Sequence, residues 1–121
     1  MNAKEYIERA DIKYFRENNF DGAIADLTEA IRLEPDNPFI YCRRGMIYRR
    51  KNELDAAIAD FTKAIQLEPK EGSFYFERGG TYIFKENNTL AVSDLEMAVK
   101  LDPQNTDYRE ALGEIKRLLN Q

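Results

Sequence analysis

Three prolines, Pro35, Pro69 and Pro103, stand 34 residues apart, and the residues counted back from each return in step. Tyr14, Tyr48 and Tyr82 share one phase, Ala23, Ala57 and Ala91 a second, and Ala30, Ala64 and Ala98 a third. A period of this length marks a stacked array whose units bury their apolar faces only against neighbours. Within the period the apolar residues recur at helical spacing. Ile7, Ala10, Tyr14 and Phe15 lie in one run (4–17), and Ala23, Ile24, Leu27, Ala30, Ile31 and Leu33 in the next (21–33). Each unit therefore reads as helix, turn, helix.

The helix ends are legible in the same way. Asn18-Asn19, Lys51-Asn52 and Asn87-Asn88 supply the left-handed or turn conformations that close the first helix of each unit. Asp21 and Asp55 are placed to cap the second helix, a role that falls to Thr89 in the third copy. Proline disfavours helix in the residue before it, so the second helices end at Glu34, Glu68 and Asp102. Residues 106–121 have the length of one further helix, with Leu112, Ile115, Leu118 and Leu119 on one stripe and Asp107 and Glu110 spaced as a capping box. Arg109, Glu110, Glu114, Lys116 and Arg117 give that helix the polar outer face of a terminal cap.

Composition excludes several functions. A net charge of −4 with no basic tail gives no purchase on nucleic acid. No stretch approaches the length of a membrane span, and the N-terminal MNAKEYIERADIKYF has no signal-peptide core. A single cysteine makes no internal disulfide, so the expected location is cytoplasmic. There is no histidine, which removes the commonest general base and metal ligand, and no Gly-rich phosphate loop occurs. Cys42 lies beside Arg43 but has no base to form a catalytic pair, and reads as a small apolar residue. No enzyme activity, cofactor or metal is expected.

With large residues at the fourth place of a unit, small ones at the eighth, twentieth and twenty-seventh, an aromatic at the eleventh and proline at the thirty-second, the chain resembles the tetratricopeptide repeat family. The resemblance covers units 4–37, 38–71 and 72–105. Tyr41, Gly45, Tyr48, Ala57, Phe61, Ala64 and Pro69 carry it in the second, and Tyr75, Gly79, Tyr82, Ala91, Leu95, Ala98 and Pro103 in the third. The first unit departs at the eighth place, where Asp11 replaces the small residue. The resemblance implies an all-α, right-handed superhelical solenoid of three helix pairs and a cap (106–121), forming one domain over residues 1–121. It also implies that the faithful residues are scaffold.

Arg44 and Arg78 stand where the family usually has leucine. An unpaired guanidinium among packed helices is costly, and Asp26, Asp60 and Asp94 recur as candidate partners, so internal bidentate ion pairs are expected. Were both arginines to share Asp60, Arg44→Leu would be tolerated better than Asp60→Leu. The competing reading is that these arginines bind an acidic ligand.

Family geometry places the function on the concave face of the first helices. Ile12, Phe15, Phe39, Cys42, Met46, Arg49, Arg50, Phe76, Ile83 and Phe84 are then candidate groove residues, with Arg43 adding to a positive band. The family's carboxylate clamp for chaperone tails uses Lys, Asn and Arg, where this chain has Glu8, Ile12, Arg43, Ser73 and Glu77. Capture of chaperone tails is therefore not expected, because Glu8 and Glu77 would repel them. The expected function is an interaction scaffold for an apolar or amphipathic segment of another protein. The alternative is a homo-oligomer built through the groove or the end helices.

Overall fold

Asparagine opens most of the helices, and an acidic residue followed by proline closes the second helix of each unit. The computed structural model describes residues 1–120 and contains α1 (Ala3–Phe15), α2 (Phe20–Leu33), α3 (Pro38–Arg50), α4 (Leu54–Leu67), α5 (Gly72–Phe84), α6 (Asn88–Leu101) and α7 (Thr106–Leu119). Gln121, the end of the expected cap helix, lies outside the described residues. Glu34, Glu68 and Asp102 are the C-caps of α2, α4 and α6, as the prolines that follow them require. The N-caps differ from the expected ones. Asn19, Asn87 and Asn105 accept from the backbone of Gly22, Leu90 and Tyr108, whereas the capping box joins Asn2 and Glu5. Asp21 and Asp55 instead bind Lys51 and Lys85 of the following unit, tying successive units together. Left-handed backbone falls at Asn18, Asn52 and, in the third copy, Glu86.

Helices pack in pairs, α1 on α2, α3 on α4 and α5 on α6, and each pair leans on the first helix of the next. The seams are built from the repeating small residues. Ala23, Ala30, Ala57, Ala64, Ala91 and Ala98 are wholly buried, and Leu27, Phe61 and Leu95 fill the space they leave. Gly45 is required where α3 crosses α4, because a Cβ there would lie 2.8 Å from the Phe61 ring. None of the helices is long and apolar enough to cross a membrane among the described residues.

The first unit resolves its apparent departure at Asp11. Ala10, not Asp11, is the buried small residue, so Arg9-Ala10 takes the place of Arg44-Gly45 and Arg78-Gly79. Helix α1 is displaced by one residue, starting and ending 35 positions before α3, and the longer turn 16–19 absorbs the difference from 51–53. Lys13 consequently stands level with Tyr48 and Tyr82, and Tyr14 does not.

The arginines form the expected internal pairs, but none shares an acid. Arg44 donates from Nε and Nη2 to Asp60 at 2.8 and 2.7 Å, and Arg78 does the same to Asp94 at 2.8 and 2.8 Å. Their third nitrogens reach Thr28 and Thr62 of the preceding unit. In the first unit Arg9 holds Asp26 at 3.0 and 2.7 Å, with Lys13 3.0 Å away. The hydrogen bonds from Arg9, partly opposed by burial, hold the Asp26 carboxyl below the ordinary carboxylate value. A depressed carboxylate stabilises the fold above its unfolded value, about 4, and the contribution is lost as pH falls through the folded value. The thermal midpoint of Asp26→Asn is therefore expected to lie below that of the parent at neutral pH, with the gap narrowing as the pH is lowered below about 4. A calorimetric pH series checks this, and a gap constant with pH would contradict it.

Candidate functional site

The first helices α1, α3 and α5 line one side of the array and carry most of its large exposed apolar side chains. On these helices Phe15 (76% exposed), Phe84 (66%) and Phe39 (54%) are the most prominent, joined by Ile12, Met46 and Ile83. Phe15 and Phe84 end their helices, so the turns that follow leave their rings uncovered. Tyr14 meets the Phe15 ring edge-on at 4.8 Å, and the Phe39 ring meets Phe74 of α5 at 5.2 Å. Between α1 and α3 lies a cleft of about 80 Å³, lined by Tyr14, Phe15, Leu27, Met46 and Ile47, with Asp11 and Arg43 at its edge.

The other candidates are held differently. Phe76 is half-buried and stacked on Tyr108 of α7 at 4.8 Å, so it ties the cap to α5. Arg49 lies across the floor between α3 and α5, donating to the Glu77 carboxylate at 2.5 Å and to the Glu77 carbonyl at 3.1 Å. Its guanidinium also sits 5.7 Å from the Phe61 ring. Arg43 donates from one nitrogen to Asp11 at 2.8 Å while remaining about half exposed. Arg50 is exposed and makes no ion pair among the described residues. The floor thus has two charged ties between first helices, Asp11 to Arg43 and Arg49 to Glu77; the first was hidden in the sequence because α1 is out of register.

Cys42 is buried, and its thiol is pushed up to about 12, first by burial and then by Glu77, against Arg49 and Arg43. Reaction with an aromatic disulfide at pH 8 is expected to be slow in the folded chain and immediate in guanidinium. A fast native phase would contradict the burial.

Profiles of the tetratricopeptide repeat match residues 13–50, 38–71 and 72–105, which together take in most of the chain, from the end of α1 to the end of α6. The chain belongs to the tetratricopeptide repeat family. No curated protein matches it. Among solved structures it is similar to the first such domain of Spaghetti (RPAP3) bound to the HSP90 peptide SRMEEVD, at 26% identity and TM-score 0.90, over 99% of this chain and 94% of that one. It is similar to the second such domain of human RPAP3 in complex with the HSP70 peptide SGPTIEEVD, at 26% identity and TM-score 0.85, over 94% of both chains. The Arabidopsis OM64 domain is similar at 25% identity and TM-score 0.85, over 95% and 94%. This tetratricopeptide repeat chain is accordingly an all-α solenoid and a protein-interaction scaffold.

These likenesses correct the exclusion of chaperone tails. Two of the similar domains hold an HSP90 and an HSP70 peptide, and the acidic side chains between the first helices here, Asp11 and Glu77, are paired with Arg43 and Arg49. The displacement of α1 brings Ile7 and Asp11, rather than Glu8 and Ile12, level with Cys42 and Met46. Glu77 is already neutralised by Arg49.

Proposed function

We propose that this tetratricopeptide repeat chain is a non-enzymatic module that holds an extended amphipathic peptide of another protein along α1, α3 and α5. An apolar side chain of the peptide enters the cleft between Phe15 and Met46, and acidic residues beside it face Arg43 and Arg50. The observation that carries this reading is the grouping of exposed Phe15 and Met46 over that cleft. Large apolar side chains gathered at a concave edge mark a binding surface. The peptides held by the similar domains combine the same chemistries, placing Met or Ile and Val among acidic residues. A groove preformed by packed helices limits the ordering cost to the peptide.

Fluorescently labelled SRMEEVD and SGPTIEEVD test the reading by anisotropy. Phe15→Ala and Met46→Ala are each expected to weaken binding about tenfold, corresponding to about 1.4 kcal/mol, with helicity unchanged. Full affinity in both variants would overturn it. The second reading, self-association, draws on the exposure of Phe84, Leu118 and Leu119 toward the C-terminal end. Light scattering separates the two: a mass above 14.1 kDa that falls back in Phe84→Ala supports an oligomer.

A further inference from the structure

Helix α7 starts 34 residues after α5, as α5 starts 34 after α3, so it continues the series of first helices along the groove. The groove therefore has three gaps, α1 to α3, α3 to α5 and α5 to α7. The first is the cleft of Tyr14, Arg43, Met46 and Ile47. The third is a cleft of about 220 Å³ lined by Ile83, Ala111, Glu114, Ile115 and Leu118. Ala111, Glu114 and Ile115 follow Arg43, Met46 and Ile47 by two periods, and Ile83 holds the place of Tyr14 once the one-residue displacement of α1 is counted. The two clefts are one feature of the repeat, formed twice, each with a helix of the array as either wall.

The gap between them is closed. Arg49 holds the place of Tyr14 and Ile83 there, and Glu77 that of Arg43 and Ala111. The Arg49 guanidinium donates to the Glu77 carboxylate and carbonyl and, at 3.4 Å, to Thr81 Oγ1. It overlies Gly80, where an added Cβ would lie 3.8 Å from Nη1. An apolar side chain above this bridge would desolvate an ion pair without entering a cleft. Helices packed side by side stand about 10 Å apart, which puts the outer clefts about 20 Å from each other. An extended chain covers about 3.4 Å per residue, so about six residues span that distance.

Taking the groove as the peptide site proposed above, we infer that it reads two apolar side chains about six residues apart, one in each outer cleft, across a polar spacer. The edges of the clefts set the charges of the partner segment. Arg43 is about half exposed at the first cleft and faces an acidic residue beside the first apolar one. Glu114 is exposed and is the charged residue lining the other cleft, where it faces a basic residue beside the second. Lys116 reaches back to Glu96 and Arg117 lines the Gly113 side of α7, so neither cation enters this cleft. The Met and Val of SRMEEVD, three residues apart, span about 10 Å, a single step of the groove. A peptide of that kind fills the first cleft and leaves the other empty.

Three fluorescently labelled peptides of one composition test the inference by anisotropy. LEGSGKL and LKGSGEL hold their leucines six residues apart in the two chain directions, and LEKLGSG holds them three apart. One of the first two is expected to bind about tenfold tighter than LEKLGSG. Leu118→Ala should remove that advantage and leave SRMEEVD binding unchanged, and the exposure of Leu118 keeps the fold intact. Glu114→Lys should weaken the wider-spaced peptide, and glutamate in place of the peptide's lysine should restore it. Equal affinity for the two spacings, an advantage that survives in Leu118→Ala, or undiminished binding to Glu114→Lys would overturn the inference. SRMEEVD binding that still depends on Phe15 would then leave the groove reading standing. Failure of SRMEEVD and all three peptides to bind would overturn both.

Discussion

Phe61→Ala is expected to lower the unfolding free energy by about 4 kcal/mol. The ring is wholly buried and, with Phe74, is the largest side chain among those with no exposure. It fills the seam between α3 and α4, lying against the backbone at Gly45 and beneath the Arg49 guanidinium. Both neighbours limit how far the cavity can collapse, because the glycine has no side chain to move in and Arg49 is held by Glu77. Domains of this size are stable by only about 5–15 kcal/mol, so a single truncation removes a large part of the total. Urea unfolding measures the loss. The matching change from the other side, Gly45→Ala, should also destabilise, since its methyl would press on the same ring. A loss below about 1 kcal/mol for Phe61→Ala would contradict the packing described.

Arg44→Leu is expected to cost about 3 kcal/mol, and more than Asp60→Leu. The order follows from burial: the Asp60 carboxylate is almost completely enclosed, whereas part of the Arg44 side chain reaches Thr28 and solvent. Removing the arginine strands a buried anion that received two hydrogen bonds, while removing the aspartate leaves a cation that can turn to water. The double variant should recover part of the loss, because an apolar pair carries no desolvation penalty. Arg9→Leu should be milder than Arg44→Leu, since Lys13 remains on Asp26. Equal small losses from Arg44→Leu and Asp60→Leu in urea titrations would contradict the assignment.

The period of 34 residues made the helix pairs, their ends at Glu34, Glu68 and Asp102 and the cap readable from the chain, because small residues and prolines report backbone geometry directly. The pairing of each arginine with the aspartate of its own second helix was half legible. Charge type predicted an internal pair, but only the separation in space excludes a shared acid. The displacement of α1 escaped because Tyr14 keeps the phase of Tyr48 and Tyr82 in sequence. The signal lay in Arg9-Ala10, which matches Arg44-Gly45 and Arg78-Gly79 one residue out of step. That single step brings Ile7 and Asp11, rather than Glu8 and Ile12, level with Cys42 and Met46. How Phe76 and Arg49 are held was not legible for a related reason: it depends on neighbours 28 or more residues away, Tyr108 and Glu77, whose approach helical spacing does not specify.

The measurement that bears most directly on the interaction account is an amide NMR titration of the full chain with SRMEEVD. The account predicts shifts at Asp11 to Phe15, Arg43 to Arg50 and Glu77 to Phe84, with the Phe15 and Met46 signals moving furthest and the second helices α2, α4 and α6 silent on their outer faces. Shifts gathered on those outer faces, or a spectrum unchanged at millimolar peptide, would contradict it.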